Sequence, residues 1–429
     1  MKVAFCALGC KVNQYEADCY AQLFKQRGYE ISSFDEKCDV YVINTCSVTN
    51  IGERKSRQMI RRAKKMNPSA VIAVTGCYAQ VKAADIKGMP EVDVVIGTSG
   101  RHLICDLVEA VMRGENAEHC ADIMKERTYE EMECAGETER TRAYIKIEDG
   151  CNNFCSYCII PYARGPVRSR RAENVLAEAA RLAESGFREL VLTGISISSY
   201  GKDLEENIAL GDIINRVSEI NGIERVRLGS IDPRIFDDAF IGLLAANKKV
   251  CRQFHISLQS GSAGVLARMN RKYTPGQYLS AVEKIRRAMP DAAITTDIIC
   301  GFPGETDSEF EETIEFVKKA RFARVHVFPY SEREGTAAAK MKQINKDVRE
   351  RRAKELSEIT ERIRAEFEES FIGRTHSVLF EQSADGVSEG LTKNYLRIYV
   401  NSKRPLDSEL HAVKITGREN GRLTGVLAD

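Results

Sequence analysis

No run of roughly 18 apolar residues occurs anywhere in the 429-residue chain, so no stretch is suited to cross a bilayer as a helix. Only MKVAFC precedes the first ALGC phrase, too little for the apolar core of a signal peptide, so the expectation is a cytoplasmic protein without a lipoprotein leader. Excess charge of one sign is also missing: 63 Lys and Arg balance 62 Asp and Glu. A total of that kind neither demands nor excludes nucleic acid, because a basic face can sit within a balanced sum. Tryptophan is absent, and nothing follows from that. Cysteine, by contrast, is plentiful, at fourteen residues. Disulfides are rare in a reducing compartment, where thiols serve as metal ligands, catalytic groups or small buried hydrophobes.

Residues 1–114 alternate short apolar runs (KVAFCAL, VYVINT, AVIAVT, VDVVIG) with amphipathic helical stretches near 13–27, 50–66 and 100–113. That alternation implies an open parallel α/β sheet covered on both faces. Residues 115–142 hold nine Asp or Glu against four Lys or Arg, show no apolar period and read as a solvated acidic linker. From AYIKIE a second alternation begins, with later strands at ELVLTG, RVRLGS, QFHISL, AITTDIICG and RVHVFPY. Six such units fall short of a closed eightfold barrel, so 143–370 is expected to be an incomplete (β/α)6 barrel with a trailing charged helix. That helix, at 346–370, carries Val348, Leu356, Ile359, Ile363 and Phe367 as its apolar stripe. Residues 371–429 switch to the alternation of a small antiparallel β-barrel.

The densest chemical signal is GCNNFCSYC, which sets Cys151, Cys155 and Cys158 in a C-x3-C-x2-C loop just after the first barrel strand. Zinc sites use four N or S ligands, and no nearby His or Cys supplies an obvious fourth; a zinc site borrowing a distant ligand is the alternative. Three thiolates suit a cubane iron–sulfur cluster with one iron left open. This loop resembles the signature of radical S-adenosylmethionine enzymes. The resemblance implies a [4Fe–4S] cluster whose open iron binds the methionine moiety of S-adenosylmethionine, and an electron transfer that yields a hydrogen-abstracting 5′-deoxyadenosyl radical. Such chemistry belongs to the cofactor, and the protein orients and shields it.

By the same resemblance Tyr157 packs against the cofactor, with plain core packing as its other role. Gly194 of LTG meets the methionine amino group, Gln259 and Ser260 of HISLQSGS meet the ribose, and Gly301, Gly304 and Glu305 of GFPGE meet the adenine. Each glycine turn alone is an ordinary turn.

Three more cysteines end apolar runs: Cys10 in ALGC, Cys46 in INTC and Cys77 in VTGC, 36 and 31 positions apart. In an open α/β sheet ligands gather beyond the carboxyl ends of the strands, so these thiols are candidates for a second three-thiolate cluster. GCKVNQYEAD, INTCSVTN and GCYAQ ahead of GCNNFCSYCIIPYARG resemble the radical S-adenosylmethionine methylthiotransferases along essentially the whole chain. That resemblance implies a C-terminal TRAM domain, and a second [4Fe–4S] cluster holding the sulfur to be inserted. It also implies an electron donor such as flavodoxin or ferredoxin. GCKVNQYEAD and GLTKNYLRIYV look most like the bacterial MtaB type, which acts at C2 of threonylcarbamoyladenosine beside the tRNA anticodon. The isopentenyladenosine and ribosomal-protein branches are the alternatives. A reading from another class is an RNA-binding iron–sulfur protein with structural or sensory clusters.

Basic runs add a tRNA anticodon arm as partner. RKSRQMIRRAKK contributes Arg54, Lys55, Arg57 and Arg61, and ARGPVRSRR contributes Arg164, Arg168, Arg170 and Arg171. Arg268 and Arg271 form a third patch, although such runs are often plain solvated faces. Of the other cysteines, Cys6 and Cys300 are expected to pack in strands, and Cys120 and Cys134 to be exposed in the linker.

Overall fold

The computed structural model describes residues 1–134 and 141–428. The N-terminal sheet holds β1 (Lys2–Ala7), β2 (Glu30–Ile31), β3 (Val40–Thr45), β4 (Val71–Gly76), β5 (Val94–Ile96) and β6 (Ala117–His119). Their order is β2-β1-β3-β4-β5-β6 and every pair is parallel. Side chains alternate between faces along a strand. Val3, Val40, Val42 and Ala73 accordingly enter one core, while Ala4, Tyr41, Ile43, Ile72 and Val74 enter the other. Helix Lys11–Gln26 lies on the first face with Tyr15, Cys19, Tyr20 and Phe24, and helix Asn50–Met66 on the second with Ile60 and Ala63.

The acidic stretch expected as a free linker is anchored over much of its described length, and 135–140 lie outside the described residues. Its start forms β6, and Met132 and Cys134 are buried in the first core. Cys134 is therefore not exposed as expected, whereas Cys120 is. The acids themselves hold the segment: Glu130 pairs with Arg101 at 2.9 Å and Glu131 with Arg170 at 2.7 Å.

The second unit contains β7 (Arg142–Lys146), the short pair β8 (Glu148–Asp149) and β9 (Arg168–Ser169), then β10 (Glu189–Thr193), β11 (Arg225–Leu228) and β12 (Ser230–Ile231). It continues with β13 (Gln253–Ile256), β14 (Ala293–Cys300) and β15 (Arg324–Pro329). Parallel pairing runs β7-β10-β11 and β12-β13-β14-β15. One residue, Gly229, separates β11 from β12, and its N–H still donates to Leu192 O at 2.8 Å. Six parallel strands thus follow in chain order around an open arc, the incomplete barrel that the apolar runs implied. Helix Lys346–Glu369 packs Ala353 and Leu356 into this core, with Ile359 and Ile363 partly buried beside them.

Five last strands, β16 (Thr375–Ala384), β17 (Val387–Thr392), β18 (Arg397–Asn401), β19 (Leu410–Glu419) and β20 (Arg422–Leu427), close into a barrel in the order β16-β17-β18-β20-β19. It is antiparallel except for β18 and β20, which pair in parallel. No helix among the described residues is long and apolar enough to cross a membrane.

Candidate functional site

Cys10, Cys46 and Cys77 lie beyond the carboxyl ends of β1, β3 and β4, three neighbours in the sheet. The turn before Cys10 is tight. Gly9 has φ +99°, and a Cβ there would stand 2.8 Å from Cys46 Sγ, so only glycine fits. Asn13 ties these ends together, donating to Leu8 O at 2.7 Å and Thr45 O at 3.0 Å. Its Oδ1 accepts from Arg164 at 2.6 Å. Cys10 is exposed, while Cys46 and Cys77 are buried. Burial pushes the Cys77 thiol up to about 12; Arg164 opposes the rise, and the nearby Cys10 and Cys46 thiols add to it. Cys77 therefore stands within the electrostatic reach of both other thiols.

The second trio sits in the loop after β8. Cys151 N–H donates to Gly165 O at 3.0 Å, and Cys158 N–H to Cys155 O at 2.9 Å. Ser156 pins the loop to the barrel through Met269 O at 3.0 Å and Arg268 O at 2.8 Å. Arg271 Nη1 donates to Cys155 Sγ at 3.3 Å. Burial pushes the Cys158 thiol up to about 12, with Cys155 adding to the effect. Among the described residues no group of three or more His, Cys, Asp or Glu is arranged to hold a single metal ion. The donor chemistry suits a larger polynuclear group: three thiols per site and an arginine bonded to one sulfur of each.

Short helix Ile160–Arg164 joins the two sites, starting two residues after Cys158 and ending on Arg164, whose Nε donates to Cys77 Sγ at 3.2 Å. Around it lies a buried charge network. Arg164, Arg101 and Lys146 converge on Glu16 and Asp149, with Lys146 Nζ 2.9 Å from Glu16 and 2.7 Å from Asp149. Burial alone would raise the Glu16 carboxyl, but Arg164, Lys146 and Arg101 hold it well below the carboxylate range. The network ties the sheet domain, through Glu16 and Arg101, to the carboxyl end of β7 and to the helix after the cluster loop.

Known proteins match this arrangement. Residues 145–317 fit the model of the radical SAM superfamily, and residues 2–97 fit a family described as uncharacterized protein family UPF0004. The threonylcarbamoyladenosine tRNA methylthiotransferase MtaB of Bacillus subtilis is 42% identical over 96% of this chain and 93% of its own length. A tRNA-2-methylthio-N(6)-dimethylallyladenosine synthase of Clostridium novyi is 37% identical over 97% and 94%. The chain belongs to the radical S-adenosylmethionine tRNA methylthiotransferases. In fold, this methylthiotransferase is similar to TsrM, a radical S-adenosylmethionine methyltransferase of Kitasatospora setae solved with tryptophan and a SAM analogue. The TM-score is 0.58 at 15% identity, covering 79% of this chain and 75% of that one. As a member of its family the methylthiotransferase works with S-adenosylmethionine and [4Fe–4S] clusters.

Several expected contacts of the methylthiotransferase are placed differently. Arg164, Arg168 and Arg170 do not form an RNA-facing patch: all three are buried, Arg164 at 0% exposure. Arg170 is consumed by Glu178 and Glu131, and Arg168 lies 3.8 Å from Asp149. Arg271 is turned to the cluster loop, and Arg268 is paired with Glu309 at 2.7 Å. Arg171, Arg54, Lys55 and Arg61 remain exposed, while Arg57 bonds the Tyr78 hydroxyl at 2.8 Å.

Tyr157 is partly buried against the barrel core. A Cβ at Gly194 would lie 2.8 Å from Glu148, so the glycine admits that carboxyl. Gln259 takes φ +73° and exchanges backbone bonds with β14. Ser260 is fully buried, its hydroxyl 3.2 Å from Thr313 Oγ1. Gly301 makes room for Arg349 of the trailing helix, and Glu305 pairs with Arg352 at 2.7 Å. Gly304 takes φ +77°, and a Cβ there would meet Arg268 Nε at 3.7 Å, an ordinary contact.

Composition and spacing did not reveal Asn13, Glu16, Asp149, Lys146 and Arg101. KVNQYE and KIEDG carried them as unmarked polar residues, each meaningful only beside partners distant in sequence. The exposed pair Phe154 and Tyr162, edge to face at 5.8 Å beside the cluster loop, was also missed. Its signal was two aromatics flanking Cys155 and Cys158.

Proposed function

We propose that this methylthiotransferase replaces the C2 hydrogen of threonylcarbamoyladenosine in tRNA with a methylthio group. Cys151, Cys155 and Cys158 are proposed to hold one [4Fe–4S] cluster, and Cys10, Cys46 and Cys77 the other. When bound, the first supplies the electron that cleaves S-adenosylmethionine, and the second carries the sulfur for insertion. The observation that carries this reading is the Arg164–Cys77 bond, which ties the helix following Cys158 to the other thiol set. Arg164 and Arg271 lower the cost of gathering thiolate charge, and the Glu16–Asp149 network keeps the domains at a fixed separation.

Two relatives support the substrate: the MtaB proteins of Bacillus subtilis and Aquifex aeolicus, at 42% and 39% identity, carry threonylcarbamoyladenosine in their names. The 37% relative makes isopentenyladenosine the second reading. The anticodon arm is proposed to lie over Arg54, Lys55 and Arg61, with Phe154 and Tyr162 as stacking surface. The electron donor is proposed to be a flavodoxin or ferredoxin, and the location cytoplasmic. The test is anaerobic reaction of reconstituted protein with S-adenosylmethionine, reductant and tRNA bearing either modified base. The reading requires 5′-deoxyadenosine and a methylthio product from the threonylcarbamoyl tRNA; product only from the isopentenyl tRNA favours the second reading.

A further inference from the structure

The loop after β3 projects two apolar side chains that the fold does not use. Val48 and Ile51 follow Cys46 closely, and both are more than half exposed, at 51% and 56%. Thr49 caps the helix Asn50–Met66, its hydroxyl accepting from Gly52 N–H at 3.0 Å. A residue before such a cap often packs against the fourth helical residue. Here that residue is Glu53, which pairs with Arg333 at 2.7 Å, so Val48 has no apolar partner there. Ile51 adjoins Gly52, where a Cβ would stand 3.5 Å from Cys46 Sγ. The two side chains thus border the thiol site and face solvent.

On the barrel side, the segment after β15 holds this loop in place. Asn50 N–H donates to Ser331 Oγ at 3.2 Å, and Arg333 Nη1 to Ser47 O at 3.2 Å. Just before that segment, Phe328 is 43% exposed. Val325 and Val327 pack against the barrel core, so His326 and Phe328, which alternate with them, line the inner face, Phe328 toward the carboxyl end of the strand. The same segment meets the loop of Cys151, Cys155 and Cys158, Ala338 N–H donating to Ser156 O at 2.7 Å. Along the helix, Ile51, Arg54, Lys55 and Gln58 recur at the spacing of one face, and all four are exposed. Among the described residues neither Arg54 nor Lys55 has a carboxylate within ion-pair distance. An apolar tip heading a row of unpaired cations matches a nucleic-acid strand, with phosphates for the cations and stacked bases for the tip.

We propose that Val48 and Ile51 enter the anticodon loop as a wedge, filling the place that the target adenosine leaves when it swings out of its stack, while Phe328 takes one face of the extruded base. This rests on the RNA substrate named under Proposed function. An enzyme that does chemistry on a base takes it out of the stack, and unstacking is unfavourable. Apolar side chains inserted between bases restore part of the lost contact without reading sequence. Arg54 and Lys55 hold phosphates of the strand being opened. Stacking on Phe328 tolerates a substituent at N6, because every base presents a π-face.

The test uses full-length reconstituted protein and threonylcarbamoyladenosine stem-loops with 2-aminopurine on the 3′ side of the target, a base that brightens when unstacked. Binding of the unaltered protein should raise the fluorescence several-fold. Val48→Ser with Ile51→Ser should lose most of that rise and lower kcat/KM about tenfold or more, the scale of unstacking one base, with iron content unchanged. Val48→Ile with Ile51→Leu should keep both. On a stem-loop with abasic sites flanking the target, which has little stack to break, the serine penalty should shrink to about twofold or less. Phe328→Ala should slow turnover of both RNAs, and unchanged turnover overturns its share. An equal serine penalty on both RNAs assigns Val48 and Ile51 to the setting of the Cys46 loop and overturns the proposal, as does no penalty on either. A penalty with flavodoxin as reductant but not with dithionite gives the tip to the electron donor and overturns it too. Failure of the unaltered protein to bind or turn over any RNA refutes the RNA reading beneath it.

Discussion

Arg164 Nε donates to Cys77 Sγ across 3.2 Å, although 87 positions separate the two in the chain. One guanidinium thereby joins the loop of Cys151, Cys155 and Cys158 to the strand end that carries Cys77. It also neutralises Glu16, which has no exposure at all.

Removing this arginine leaves Glu16 and Asp149 buried with less compensation. Arg164→Ala should cost roughly 3–5 kcal/mol, the usual penalty for breaking a buried ion pair. Arg164→Lys should recover only part, because a single ammonium cannot serve Cys77, Asn13 and Glu16 together. Denaturant unfolding of the reconstituted protein checks both variants; an unchanged midpoint in Arg164→Ala would remove the network from the account.

Glu148 has the opposite balance. Its Oε2 accepts from Ser196 N–H at 2.6 Å, but Oε1 is buried without a partner, and burial raises its carboxyl well above the usual range. An acid whose folded-state pKa is raised binds a proton that the unfolded chain has released, so its contribution declines as pH rises from the unfolded value toward the folded one. Glu148→Gln should therefore be more stable relative to the parent at pH 7 than at pH 4. Unfolding midpoints at the two pH values check this, and a difference of the reverse sign would contradict it.

Two independent clusters call for about eight iron atoms per chain. Substituting Cys151, Cys155 and Cys158 by Ala should remove about half, and substituting Cys10, Cys46 and Cys77 the other half. Iron analysis after anaerobic reconstitution distinguishes this from a shared site, where either triple variant would lose nearly all of it. Because cysteine must shed its proton to bind metal, and the Cys77 and Cys158 thiols are pushed up to about 12, loading should also improve between pH 6.5 and 8.5.

Among the basic residues, exposure separates RNA contacts from structure. Arg54→Glu with Lys55→Glu should weaken tRNA binding and reduce its salt dependence by about two phosphate contacts, leaving thermal stability unchanged. Arg170→Ala should do the reverse, since its partners are Glu178 and Glu131 inside the protein. Filter binding over a salt series and a melting curve for each variant decide the matter.

The strand-end position of Cys10, Cys46 and Cys77 was legible because a parallel sheet delivers all its carboxyl ends to one edge, and the apolar runs marked those ends. The open barrel was legible from the count of such runs. ARGPVRSRR misled because a local basic run does not reveal partners elsewhere: Glu16 lies 148 positions from Arg164. GFPGE likewise did not reveal that its first glycine and its acid meet Arg349 and Arg352 of a helix some fifty residues later. The acidic stretch lacked apolar periodicity because ion pairs to Arg101 and Arg170 hold it in place of a hydrophobic face.

Nucleoside mass spectrometry of tRNA from cells lacking this protein, with and without the intact gene restored, bears most directly on the function assigned here. Loss of methylthio-threonylcarbamoyladenosine, its precursor accumulating, with recovery by the intact gene but not by Cys46→Ala, is the expected result. Unchanged methylthio-threonylcarbamoyladenosine together with loss of the isopentenyl derivative would contradict it.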